Sequence, residues 1–300
     1  MVQKSIYTFF IFGVLVAACQ SKKTAIVLQT DFGLKDGAVS AMKGVILNVD
    51  REIPLFDLTH EIPAYNIWEA AYRLEQTYRY WPAGTIFVSV VDPGVGTNRR
   101  SIVMKTKTGH YFVTPDNGTL TLVAESAGIE RIQEIDEHLN RRPGSSDSYT
   151  FHGRDVYAYT AGRLASGVIG PEKIGPLLNN DSLVKIPYQK PFVDKDTIWG
   201  MIPILDSQYG NVWTNIPDSF LRKQSIKPGD SIRIVLYNKD STVHSGTYLY
   251  AKTFGAVSVG KSLVYLNSLL NFSIASNERN FADSFHIKSG PDWTISIIKK

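Results

Sequence analysis

Two hydrophobic periods alternate along the first two-thirds of this chain, and that alternation constrains its fold more than any other feature. Short apolar runs such as "AIVLQT", "PLFDLT" and "GTIFVSVV" recur between segments whose apolar residues return at every third or fourth position, such as "GAVSAMKGVILNV" and "NIWEAAYRLEQTYRYW". A short β-branched run reads as a strand buried on both faces, and a segment of helical period lays one stripe against a sheet. Strands alternating with helices predict an α/β N-terminal domain with a largely parallel sheet over residues 24–187. Within it "SIVMKT" and "HYFVTPDNG" read as a strand pair, and "TLTLVAESAG" as a further helix.

The pattern changes after "KIPYQKPFVDKD", whose two prolines and mixed charges carry no clear period, so a linker is predicted at 188–196. The segments "IWGMIPILDS", "GNVWTNI", "SIRIVLYN", "GTYLYA", "LVYLNS" and "FSIAS" follow. They are rich in β-branched and aromatic residues with frequent turns, which predicts a smaller, mainly antiparallel all-β domain over 197–300.

Three predicted strands of the first domain end alike, in Thr30-Asp31-Phe32-Gly33, Val91-Asp92-Pro93-Gly94 and Pro115-Asp116-Asn117-Gly118. In open α/β sheets the ligand crevice lies outside the carboxyl ends of the strands, so three carboxylates gathering on one rim is one reading. Asp and Gly are also good turn formers, and that is the other. Asp92 and Arg99 bracket a glycine-rich turn, and "FHGRD" sets His152 between an aromatic residue and a glycine. Asp, Arg and His around one water would hold and polarise it without a metal. An ion pair closing a turn, with a capping histidine, fits the same spacing.

Other chemistries lack their residues. His60, His110, His138, His152, His244 and His286 are far apart with no His-x-x-x-His pair, so no metal site is predicted. There is no Walker loop, "GVGTNR" fails the dinucleotide fingerprint at its last glycine, and no Gly-x-Ser-x-Gly elbow occurs. A formal net charge of +4 without a basic stripe argues against a nucleic-acid partner.

The first residues carry one lysine, then an apolar run too short to span a membrane, then Val16-Ala17-Ala18-Cys19. This resembles a bacterial lipobox. It implies a lipoprotein signal peptide at 1–18, lipidation of Cys19, a short tether at 19–23, and attachment to the cell envelope outside the cytoplasm. Cys19 is the sole cysteine, so the mature fold has neither a disulfide nor a thiol nucleophile.

From about residue 25 onward the chain carries, in order, "TDFGLKDGAVSAMKGVI", "DLTHEIP", "VVDPGVGTNRR", "PDNGTLT", "FHGRD", "YGNVWTNI" and "VYLNS". With these motifs it resembles the S-adenosyl-L-methionine hydroxide adenosyltransferases, relatives of the fluorinases and chlorinases. The resemblance implies an α/β domain joined to a β-barrel-like C-terminal domain, and a homotrimer with active sites between subunits. It also implies attack of activated water on the ribose C5′ of S-adenosyl-L-methionine, without a cofactor, releasing adenosine and L-methionine. Carried over motif by motif, Asp92, Arg99 and His152 are the catalytic set. Asp31 is the ribose ligand, Asp36 lies near the methionine amino group, and Tyr65 packs on sugar or base. Asp206, Asn211, Trp213 and Ser268 meet the methionine and adenine ends.

The chain departs from the halogenating relatives where Asp92 and His152 replace tyrosines and Gly153 replaces a serine that contacts halide. A carboxylate there repels a halide, which disfavours halogenation. Leu269, Ser273 and Glu278 also depart from the hydrolase pattern at points where substrate ends are read. The expected substrate is cytosolic, whereas the lipobox points outside. Two further readings therefore stand beside the hydrolase: a hydrolase of another 5′-substituted adenosine, and a lipid-anchored nucleoside-binding protein without turnover.

Overall fold

A computed structural model describes residues 23–300. The predicted signal peptide and Cys19 lie outside the described residues. The N-terminal sheet has seven strands: β1 (Ile26–Thr30), β2 (Leu55–Thr59), β3 (Ile86–Val90), β4 (Ser101–Thr106), β5 (Tyr111–Pro115), β6 (Ile129–Glu134) and β7 (Leu177–Leu178). Their order is β2-β1-β3-β5-β4-β6-β7. The β2, β1, β3 and β5 half is parallel, and β4, β6 and β7 join antiparallel. The sheet is thus mixed, with its parallel half where the apolar runs are longest.

Alternate residues of the central strands enter two different cores, as the period of two requires. Ile26, Leu28, Val88 and Val90 pack with Met42 and Ile46 of α1 (Ala38–Val49) and with Val156 and Ala161. Val27 and Phe87 face the other way, against Leu74 of α2 (Ile67–Thr77) and Val123 of α3 (Thr121–Ala127). A short helix, α4 (Glu137–Asn140), follows β6, and a π-helix at Gly153–Ala158 runs directly into α5 (Tyr159–Ala165).

The C-terminal strands are β8 (Phe192–Asp194), β9 (Thr197–Met201), β10 (Ile204–Leu205), β11 (Val212–Pro217), β12 (Ser231–Asn238), β13 (Ser241–Leu249), β14 (Ser262–Leu266), β15 (Asn271–Ser276) and β16 (Trp293–Lys299). They form two antiparallel sheets, β10-β11-β15-β14 and β13-β12-β16-β9-β8. One core lies between them, with Val212, Ile216 and Ile274 from the first and Ile198, Ile234 and Ile295 from the second. The sheets do not form the continuous ladder of a barrel. Among the described residues the isolated bridge Tyr250–Val264 joins β13's end to β14. The segment predicted as linker contains β8, which pairs with β9. The two halves of the chain also touch directly, where Trp68 of α2 donates its indole N–H to the carbonyl of Pro203 at 2.8 Å.

Candidate active site

Strands β1, β3 and β5 are parallel neighbours, so Asp31, Asp92 and Asp116 leave the sheet on one rim. They do not share a task. Asp116 is buried, accepts from Arg100 Nε at 3.0 Å and from the Val184 backbone N–H at 2.9 Å, and so closes a structural ion pair. Asp31 and Asp92 instead line a cavity of about 270 Å³ with Tyr65, Phe32, Val95, Phe151, His152 and Gly153.

The turn after β3 explains how Arg99 reaches Asp92. The Val95 N–H bonds the carbonyl of Asp92 at 3.3 Å, and the Thr97 N–H bonds that of Gly94 at 3.1 Å. Gly96 takes φ +77, a left-handed conformation that costs glycine little. The chain therefore reverses, and Arg99 Nε donates to both Asp92 oxygens at 2.9 and 3.0 Å while Nη2 donates to Oδ2 at 2.6 Å. Arg99 Nη1 donates to Ser101 Oγ at 2.9 Å.

His152 begins the turn of helix that becomes the π-helix, and its ring is buried. Its Nδ1 lies 2.7 Å from Arg99 Nη2 and its Nε2 lies 3.0 Å from Arg141 Nη2. π-Helical turns are uncommon and concentrate at functional sites. The helical turn already starts at His152, directly after Phe151. Asp155 one turn on is buried and accepts from Arg154 Nε and Nη2, both at 2.8 Å, and from Arg142 Nε at 3.0 Å.

These contacts set the charge states. Burial opposes the Arg99 charge, but its hydrogen bonds with Asp92 and the nearby Tyr157, Asp92 and Glu137 outweigh it and hold the guanidinium above its ordinary value. Burial pushes His152 below the ordinary histidine value. Arg99 and Arg141 add to that, while Glu137 and Asp92 oppose it. The ring is thus favoured neutral.

Tyr65 sits at the cavity mouth with its side chain exposed and its backbone at φ +67, and its N–H bonds Asp31 Oδ2 at 2.9 Å. Its ring is therefore free of the core, while one Asp31 oxygen is committed to the Tyr65 backbone. Asp36 does not join them. It is exposed, and Oδ1 accepts from the Ala38 N–H at 2.9 Å at the start of α1.

The C-terminal residues meet elsewhere. Asp206, Asn211, Trp213 and Ser268 line a second cavity of about 340 Å³ with Tyr209, Lys252, Phe254, Tyr265 and Asn267. Asn211 Nδ2 donates to Asp206 Oδ2 at 3.2 Å. Asn267 Nδ2 is buried without an acceptor, and Trp213 Nε1 is buried beside the Tyr265 hydroxyl, which burial pushes up to about 12. The two cavities share no lining residue, so within one chain the predicted residues fall into two separate groups. Sequence reasoning missed Arg141, Glu137, Tyr209 and Phe254. The signal for the aromatic pair is two rings beside turns of the predicted site, whereas nothing in the sequence ties Arg141 to His152.

Comparison with known proteins identifies the family. Residues 26–175 match the SAM hydroxide adenosyltransferase N-terminal domain and residues 200–294 match the corresponding C-terminal domain. An (R)-S-adenosyl-L-methionine hydrolase of Methanocaldococcus jannaschii is 39% identical over 221 residues, covering 72% of this chain and 74% of that one. A fluorinase of Nocardia brasiliensis is 27% identical over 92% of this chain and 98% of its own. The crystal structure of an uncharacterized conserved protein from Thermotoga maritima superposes with a TM-score of 0.83 at 36% identity, covering 91% of this chain and 99% of that one. With both halves matched in order and the hydrolase relative spanning most of its length, the chain belongs to the SAM hydroxide adenosyltransferase family.

Proposed function

We propose that this protein hydrolyses S-adenosyl-L-methionine to adenosine and L-methionine. The observation that carries the reading is the Asp92–Arg99–His152 cluster, which sets a carboxylate and an imidazole in the wall of one cavity, tied together by one guanidinium. Hydrolase relatives of up to 39% identity support it. Asp92 and His152 line the cavity, whereas Arg99 stands behind them and bonds both. Asp92 and His152 therefore orient the water from the cavity wall, Asp92 receives its proton while the His152 ring stays uncharged, and Arg99 fixes their spacing.

The chemistry needs little else. An O–C5′ bond forms as the C5′–S bond breaks, and the electron pair returns to a sulfonium that leaves as a neutral thioether. No acid is required at the leaving group. The nucleophile is the harder part, because bulk water has a pKa near ~15.7. Holding it in line behind C5′ converts a collision into a positioned step, which supplies roughly 7–11 kcal/mol in favourable cases. Asp31, with one oxygen free of Tyr65, faces the sugar hydroxyls, and the Tyr65 ring covers the sugar.

The methionine and adenine ends belong in this reading to the cavity of Asp206, Asn211, Trp213 and Ser268. Its buried donors, above all the unpaired Asn267 Nδ2, call for an acceptor-rich group. The separation of the half-sites within one chain supports a homotrimer in which a neighbour completes each site, with Asp36 near the shared boundary. No cofactor is invoked. The relationship to fluorinases does not extend to halide chemistry, since the Asp92 carboxylate in the cavity wall repels an anion.

For location, the lipobox-like Val16-Ala17-Ala18-Cys19 supports a lipid on Cys19 and a site outside the cytoplasm. No helix of the described residues is long and apolar enough to cross a membrane. Mass spectrometry of the N-terminus tests the anchor: an unmodified Cys19 would reject it. The activity is tested by incubating purified residues 20–300 with S-adenosyl-L-methionine and following products by liquid chromatography. Equal adenosine and methionine is the expected result. Absence of turnover with adenosine bound would overturn it in favour of a nucleoside-binding protein.

A further inference from the structure

An imidazole with an arginine at each nitrogen is an unusual arrangement. Arginine only donates, a neutral imidazole has one acceptor nitrogen, and an imidazolium has none. With Arg99 Nη2 at 2.7 Å from Nδ1 and Arg141 Nη2 at 3.0 Å from Nε2, a protonated His152 would oppose N–H to N–H at both ends. It would also bring a third positive charge into a buried cluster that holds two guanidiniums. The neutral ring satisfies one arginine and escapes the charge repulsion.

Arg141 reaches this place through a specific scaffold. Its guanidinium is paired with Glu137 one helical turn earlier and lies 4.4 Å from the centre of the Tyr149 ring. Next to it, the Arg142 N–H bonds the carbonyl of Asp155 at 2.8 Å and Arg142 Nε bonds the Asp155 carboxylate at 3.0 Å. The segment after α4 is thereby stapled to the π-helix that carries His152. The Arg141 side chain is buried, although an arginine in a surface segment would ordinarily extend into water.

We propose that Arg141, braced by Glu137 and Tyr149, is a positioning residue of the hydrolytic site, closing the far face of the His152 ring and keeping that ring uncharged for the water held with Asp92. The groups facing His152 are Arg99 and Asp92 from the turn after β3, Glu137 and Arg141 from α4 and its end, and the rings of Tyr149 and Tyr157 at 6.1 and 6.5 Å. Of these, Arg99 is committed to Asp92 and Ser101, so its charge is largely answered within the cluster. Arg141 supplies the second like charge and the second blocked nitrogen. The inference rests on the hydrolytic reading above for the use made of the neutral ring, but not for the ring's charge state.

Two readouts separate those parts. Ring ¹⁵N chemical shifts of His152 are followed against pH in the full chain, with His152→Gln identifying the signals, for wild type, Arg141→Gln and Arg141→Lys. The acid limb of kcat/KM for S-adenosyl-L-methionine is recorded on the same proteins. Removing the charge in Arg141→Gln is expected to raise the His152 midpoint by about one pH unit and to carry the acid limb up with it. Arg141→Lys, which keeps the charge without the planar fork, is expected to hold the midpoint nearer wild type. A midpoint in Arg141→Gln unchanged from wild type overturns the proposal, even where turnover falls. A wild type that turns over nothing at any pH overturns the hydrolytic reading instead, and the titration still decides the role of Arg141.

Discussion

The Arg99 guanidinium grips both oxygens of Asp92, at 2.9 and 3.0 Å through Nε and at 2.6 Å through Nη2, across a turn that contains two glycines. The pair is almost fully shielded, with side-chain exposures of 10% for Arg99 and 5% for Asp92, so each charge depends on the other. Removing one partner of a buried pair strands the other charge.

Asp92→Asn is therefore expected to lower kcat for S-adenosyl-L-methionine by at least about 100-fold, the usual worth of a positioned acid or base. Asp92→Ala adds a stability loss of about 3–5 kcal/mol. Adenosine release by chromatography and urea unfolding measure the two effects. Turnover of Asp92→Asn within twofold of wild type would sink the mechanism.

Burial, with Arg99 and Arg141, holds His152 below its ordinary value, so the unfolded chain takes up this proton first as the pH falls. Stability from this group is complete above about pH 6.5 and is lost on acidification between there and the lower folded value. The acid limb of kcat/KM should likewise lie below about 6.5. Thermal unfolding of wild type and His152→Gln across pH 4.5–7.5 checks the sign: the difference between them should change only below about pH 6.5.

Asp92 and Asn211 line separate cavities of the same chain. Co-expressed Asp92→Ala and Asn211→Ala chains should regain turnover that neither has alone, because a mixed assembly contains sites with both halves intact. Failure to complement, together with a monomeric mass from light scattering of active wild type, would eliminate the intersubunit site.

Gly153 lies against the cavity, and a Cβ there would sit 3.3 Å from side-chain atoms of Phe151, Phe32 and Val90. Three neighbours must yield by a few tenths of an ångström. Gly153→Ala is expected to reduce kcat/KM roughly tenfold while costing about 1–3 kcal/mol of stability, the usual range for overpacking. Unaltered kcat/KM would show that substrate does not use this part of the wall.

Turnover is expected to survive dialysis against EDTA, since Asp92 and His152 act on the water directly in the proposed mechanism. Activity lost on chelation and restored by a divalent ion would assign the activation of water to a metal.

Much of the architecture was legible because burial imposes a period. Ile26, Leu28, Val88 and Val90 must face one helical layer while Val27 and Phe87 face the other, and the apolar runs announce it. Strand β6 escaped notice because "IERIQE" is half exposed and mixes charge with its apolar residues. The barrel-like closure expected of the C-terminal half depends on how edge strands meet, and here the edges meet at one residue pair. Asp36 is tied to the substrate by motif alone, and within one chain its exposed carboxylate accepts only from the Ala38 N–H.

By itself the sequence determined the order of strands and helices, the chain reversal that returns Arg99 to Asp92, and the residue types able to activate a water, because each depends on neighbours within a few positions. Tertiary structure alone decided that Asp116 serves a structural ion pair while Asp31 and Asp92 face a cavity, that Arg141 stands against His152, and that the C-terminal residues line a separate cavity. Those outcomes depend on which distant segments share the same few ångströms, and local propensity carries no record of such meetings.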